Sequence, residues 1–166
     1  GSSDLLRQGE AVLFVGGDEE IANEVKPLLM DLTIGVHYLG PVGTASRFKL
    51  VHNLILGLNR AVLAEGLQFA EALGFEGEKT LSVLLQTAAA SAAMNAKGER
   101  MVNRDYDPPQ ARLAQHLKDV QLMLNEAQRS SAKVPLTRLH RELLEQAKEL
   151  GFADVDNSAI MESFNR

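Results

Sequence analysis

Residues 40–73, GPVGTASRFKLVHNLILGLNRAVLAEGLQFAEAL, limit what this chain can fold into more than any other stretch. Phe48, Val51, Ile55, Leu58, Val62, Phe69 and Leu73 recur at steps of three or four, with one wider step between Val62 and Phe69. That spacing predicts a helix from Ser46 to Leu73 with this stripe buried. At about 1.5 Å per residue the helix is roughly 40 Å long, enough to cross a small domain and give other helices a surface to pack on. Lys49 and Asn53 lie one turn apart near its start, on one face, just past two glycines.

The rest of the chain reads as flanks of this helix. Ala11–Val15 is a short apolar run closed by Gly16 and Gly17, which predicts a buried strand and a turn. Asp18 is placed to cap a following helix that runs to about Leu32, with Glu19 and Glu20 at its positive end. Pro27 predicts a kink or an early stop in it. Ile34–Leu39 reads as a second strand. Two strands make a poor sheet with open edges, so this part resembles the tail of a larger α/β domain. After Gly40 no strand pattern appears. Gly74 stops the long helix. A second helix is expected from Glu78 to about Ala96, with Gly98–Asp105 as a loop. A third is expected from Asp107-Pro108-Pro109 to about Arg129, and a fourth from Pro135 to Gly151. A short last one, Ser158–Phe164, is capped by Asp154 or Asp156.

Composition narrows the function. A length of 166 residues suits one domain, or one and a fragment of another. With no tryptophan and 5% aromatics, the core is aliphatic. The absence of cysteine rules out disulfides and thiolate metal sites and fits a reducing cytoplasm. His37, His52, His116 and His140 show no metal-ligand spacing and read as structural or surface residues, so no metal is expected. A net charge of −5 does not suggest a general binder of nucleic acid or membrane surfaces. No apolar run reaches the roughly 18 residues of a membrane span. Gly1, Ser2 and Ser3 look like a tag remnant.

Three motifs carry possible chemistry. Gly40-Pro-Val-Gly43 at a helix start is either an anion site, with free N–H groups and a favourable dipole, or a plain turn needing positive φ. It is neither a P-loop nor a dinucleotide fingerprint. Lys49 and Asn53 are either a solvated face or a working pair. In the second case the helix end and partial burial lower the lysine's proton affinity, so it can exchange a proton with a carbonyl or hydroxyl oxygen while the asparagine holds the same substrate. Lys118-Asp119, mid-helix, is by itself an exposed ion pair worth less than about 1 kcal/mol.

The run Gly40-x-x-Gly43-x-Ala45-x-x-x-Lys49-x-x-x-Asn53 resembles the G-x-x-G-x-G-x-x-x-K-x-x-x-N signature of the β-hydroxyacid dehydrogenases. These include the 3-hydroxyisobutyrate dehydrogenases and the tartronate and glyoxylate/succinic semialdehyde reductases, relatives of 6-phosphogluconate dehydrogenase. Ala11–Asp18 is similar to the family's last Rossmann segment, Lys118-Asp119 to its Lys-Asp pair, and Gly151–Ala159 to its C-terminal tail. The motif's third glycine is Ala45 here. The family's Gly-rich nucleotide-binding unit and its Ser/Gly-Gly substrate loop do not occur in the sequence.

The resemblance implies a mainly α fold, a 6-phosphogluconate dehydrogenase-like C-terminal domain preceded by a β-α-β remnant. Residues 1–3 are then a tag, 4–40 the tail of an NAD(P)-binding Rossmann domain, and 41–166 the all-α substrate and oligomerisation domain. Lys49 is the implied catalytic acid/base, and Asn53, Gly40 and Gly43 bind substrate. Lys118 and Asp119 face the cofactor, NAD or NADP, with Asp119 supporting Lys118. The substrate is a small hydroxy acid or semialdehyde. The expected partners are the missing N-terminal Rossmann domain and further copies of the chain, as a homodimer or higher oligomer. Alone, the chain is expected to bind cofactor weakly and turn over negligibly. A rival expectation is a non-catalytic helical dimerisation module.

Overall fold

A computed structural model describes residues 3–165, with side-chain environments from residue 5 to residue 165. The reading of Gly1 and Ser2 as a tag lies outside the described residues. The chain falls into two compact units, Gly1–His52 and Asn53–Arg166. The division lies within the long helix.

In the first unit, a short helix α1 (Ser3–Arg7) precedes strand β1 (Val12–Val15), helix α2 (Glu19–Met30) and strand β2 (Gly35–Tyr38). The strands pair in parallel, Val12 with Gly35 through Val15 with Tyr38. A parallel pair needs a crossover, and α2 supplies it. Asp18 caps α2, its Oδ1 accepting from Ile21 N at 3.1 Å. The helix runs three residues past Pro27 before it ends. Phe14 of β1 packs edge-on against Phe48, with ring centroids 4.8 Å apart, and lies 5.7 Å from the His52 ring.

The second unit is helical: the rest of α3 (Thr44–Ala72), then α4 (Gly77–Leu84), α5 (Ala92–Asn103), α6 (Leu113–Arg129) and α7 (Pro135–Ala147). A π-type turn (Lys148–Phe152) and a 3₁₀ helix (Asn157–Phe164) follow. Leu67, Met101, Leu113, Leu144, Ile160 and Met161 form the centre of its core. Among the described residues no helix is long and apolar enough to cross a membrane.

Four expectations are corrected. The stripe Phe48, Val51, Ile55, Val62, Phe69 and Leu73 is exposed, not buried. The inner face of α3 is instead Gly57, Arg60, Ala61, Ala64, Leu67 and Ala70. Small side chains let other helices come close: a Cβ on Gly57 would lie 2.6 Å from His140 Cε1 and 2.7 Å from His116 Nε2. The alanine-rich region is two helices rather than one, because hydroxyls take backbone amides between them. Ala89 N donates to Thr87 Oγ1 at 3.2 Å, and Met94 N to Ser91 Oγ, the cap of α5, at 3.1 Å. The expected loop at Gly98–Asp105 is mostly helix, with Gly98 packed under Leu81. Finally, α6 starts at Leu113 rather than at the prolines, because the amides of Gln110 and Ala111 donate to Asp156 Oδ2 at 2.9 and 3.2 Å.

Candidate active site

The turn into α3 is built on two glycines in the left-handed region, Gly40 at φ +110° and Gly43 at φ +95°. Other L residues are strained there. Thr44 closes the turn, its Oγ1 donating to Pro41 O at 2.7 Å. The end of β1 abuts it: a Cβ on Gly16 would sit 2.9 Å from Thr44 Oγ1 and 3.1 Å from Ala45 N.

Lys49 follows one turn into the helix. It is exposed, so the expected partial burial is absent, and it makes no hydrogen bond or ion pair among the described residues. Asn53, four residues on, is half-buried and donates from Nδ2 to Asp119 Oδ2 of α6 at 3.4 Å. Neighbouring positions on a helix point apart. Accordingly Lys118 is exposed and forms no ion pair with Asp119. The structure therefore brings Asp119 to Asn53 rather than to Lys118. Lys118 and Lys49 each keep their ammonium donors unspent among the described residues. Lys118 is an unclaimed cation of the kind that suits a phosphate or ribose oxygen, and Lys49 is an unclaimed proton donor.

A second polar group went unread in the sequence. Lys97 Nζ donates to Asp156 Oδ1 and Oδ2 at 2.9 and 2.8 Å, both buried, and to Gln110 at 2.8 Å in a part-buried bond. Burial acts to raise the Asp156 carboxyl's pKa, but the hydrogen bonds from Lys97 and Ser158 outweigh it and hold it low. Arg60 Nη2 lies 2.9 Å from His116 Nε2. Burial pushes the Arg60 guanidinium down to about 10 against the pull of Asp156. Burial, with Arg60 adding, takes His116 well below its ordinary value and His140 down to about 4. The available signal was position: Lys97 stands between Ala96 and Gly98, and Arg60 shares a helix face with Gly57 and Ala64. Among the described residues no group of three or more His, Cys, Asp or Glu could hold a metal ion.

The fold is that of the helical half of a hydroxyacid dehydrogenase. The 3-hydroxyisobutyrate dehydrogenase of Salmonella typhimurium superposes with a TM-score of 0.89 at 24% identity, over 98% of this chain and 57% of that one. Residues 43–164 match the family described as NAD-binding of NADP-dependent 3-hydroxyisobutyrate dehydrogenase, and the chain belongs to that family. A 2-hydroxy-3-oxopropionate reductase of Escherichia coli is 30% identical over 157 residues, 95% of this chain and 53% of the relative. The cytokine-like nuclear factor N-PAC of Aedes aegypti is 30% identical over 160 residues, 96% of this chain and 28% of the relative. The chain thus spans about half the length of one relative and little more than a quarter of the other.

Proposed function

We propose that this chain is the catalytic-lysine and substrate-holding part of an NAD(P)-dependent oxidoreductase that interconverts a small 3-hydroxy acid and its semialdehyde. The observation that carries this reading is Lys49, with an unclaimed ammonium, one turn from an asparagine held by Asp119. In reduction Lys49 gives a proton to the substrate's carbonyl oxygen; in oxidation it takes the hydroxyl proton. Asn53 holds that oxygen, its carboxamide set by Asp119. Gly40 and Gly43 shape the backbone beneath the substrate. Lys118 and Asp119 are the residues that hold the cofactor, which supplies or accepts hydride when bound. Residues 4–40 are read as the tail of the cofactor domain and 41–166 as the substrate domain, which self-associates in a cytoplasmic enzyme.

The test is NADPH- and NADH-dependent reduction of small semialdehydes, by this chain and by the full-length product of its gene. The full-length protein turns over and the chain alone does not. Lys49→Ala lowers kcat of the full-length protein by about two to four orders of magnitude. A near-normal rate in that variant would sink the acid/base role.

One observation favours a second reading, a non-catalytic dimerisation module. The outer face of α3 exposes Val62, Phe69 and Leu73, the last two 65% and 59% accessible, and one relative's name is that of a nuclear factor rather than an enzyme. Absence of turnover in the full-length protein, with a stable dimer, decides for it.

A further inference from the structure

We propose that His116 is a positioning residue of the candidate site: its bond to Arg60 sets the depth at which α6 lies on α3, and so holds Asp119 against Asn53. Its part in catalysis rests on the function proposed above; the positioning itself does not.

Asn53, Gly57 and Arg60 follow one another on α3 at steps of four and three, along one face. His116 and Asp119 stand one turn apart on α6. Side-chain bonds join the two faces at both ends. Asn53 Nδ2 reaches Asp119 Oδ2 at 3.4 Å in a part-buried bond, and Arg60 Nη2 reaches His116 Nε2 at 2.9 Å in a buried one. Between them Gly57 lets the His116 ring lie against the backbone of α3, where a Cβ would come within 2.7 Å of Nε2. The two bonds are unequal. At 3.4 Å an N–H···O contact is at the limit of a hydrogen bond, and a shift of a few tenths of an ångström breaks it. It is too weak to set the spacing of two helices. The Arg60–His116 contact has ordinary length and is buried, where a polar bond is stronger and its loss costs more. One turn of α6, about 5.4 Å, separates His116 from Asp119, so the helix carries a change at the first to the second. Control therefore runs from His116 to Asn53, not the reverse.

Hydrogen-bond chemistry singles out the acceptor. A guanidinium only donates, so His116 Nε2 accepts, with the ring neutral and its proton on Nδ1. Burial, Arg60 from α3 and His140 from α7 all oppose a charge on that ring. Arg60 in turn is pulled on by Asp156 and repels Lys97. The His140 ring packs beside that of His116, with centroids 5.1 Å apart. A side chain at 116 that fills the same space without an acceptor leaves a buried guanidinium unanswered, and the helices must shift to answer it.

Nitrogen-edited NMR of the chain tests this by reading the Asn53 side-chain amide, assigned by its loss in Asn53→Ser. Asp119→Ala gives the signals of a carboxamide that has lost its aspartate. His116→Leu should move the Asn53 signals to that position. His116→Gln, whose carbonyl oxygen can accept from Arg60, should leave them near wild type. Exchanging both partners for apolar side chains is close to neutral for stability. Arg60→Met combined with His116→Leu should therefore fold and also release Asn53, which gives the answer should His116→Leu alone not fold. In the full-length protein His116→Leu lowers kcat for semialdehyde reduction about tenfold and adds nothing to the loss caused by Asp119→Ala, while His116→Gln restores the rate. Asn53 signals that stay in place in the leucine variants, or that move as far with His116→Gln, overturn the positioning. Additive losses of kcat overturn its part in catalysis. A full-length wild type without turnover sinks the function proposed above, and the NMR signals still decide the positioning.

Discussion

Lys97 and Lys49 both sit on helices, and the fold treats them in opposite ways. Lys97 is 8% exposed and spends its ammonium on Asp156 and Gln110. Lys49 is exposed and spends its ammonium on nothing among the described residues. The first is part of how the helical unit holds together. The second takes no part in that among the described residues. The same contrast separates Arg60, buried against His116, from Lys118, open on the surface of α6.

The contrast can be broken by exchanging readouts. The largest effect is expected at Lys49. Lys49→Ala should leave the urea midpoint of the helical unit in place while kcat of the full-length protein falls by about two to four orders of magnitude. Lys97→Ala should do the reverse. It strands the buried Asp156 carboxylate, and urea denaturation should register a loss of about 3–5 kcal/mol. Equal stability losses in the two variants would erase the distinction.

Acid sharpens the contrast next. His140 is held at about 4 against an ordinary 6.5, and His116 is lowered too. Between those values the unfolded chain binds more protons than the folded one, so stability falls as pH drops from 6.5 toward 4. His140 alone accounts for a loss on the order of 3 kcal/mol, readable as urea midpoints at pH 7 and pH 4.5. A flat profile across that window would mean the two imidazoles are not buried as neutral groups. The proposed catalytic face plays no part in this dependence, so Lys49→Ala should reproduce the wild-type curve.

Smaller effects come from packing and positioning. Gly57→Ala places a methyl within 2.6 Å of His140 and should cost about 1–3 kcal/mol by thermal denaturation. Gly66→Ala, with open space around it, should be neutral or stabilising by less than about 1 kcal/mol. Least of all, Asp119→Ala should lower kcat of the full-length protein about tenfold without moving Tm, because it removes the acceptor of Asn53 Nδ2 and no core contact.

Much of the fold was legible because its signals are local. Asp18 before a glutamate pair, Pro135 at a helix start and Asp156 before Asn157 are each written within a few residues. The β-α-β unit follows from two apolar runs and the punctuation between them. What was illegible depended on distant partners. A period of 3.6 fits either of two stripes on α3, and the larger side chains suggested the wrong one. Only the opposing His116 and His140 show why the small-residue face goes inward. The prolines at 108 and 109 look like a helix start until Asp156 is seen taking the amides behind them. The candidate site divides the same way. The spacing of Lys49 and Asn53 placed them on one face of one helix, but the partner of Asp119 could not be read, because the bond closes across 66 residues.

The Asp156 carboxylate also sets an order of assembly. Its partners Lys97 and Gln110 precede it by 59 and 46 residues. Contacts between consecutive helices, such as those of α6 with α7, are of the kind that form quickly. During synthesis α5 and the segment before α6 must wait, with an ammonium and two amides unanswered, until residue 156 has been made. A ribosome-bound chain stopped short of that point would carry helices without a keystone. The moment of closure would be set by translation rather than by the intrinsic speed of helix formation.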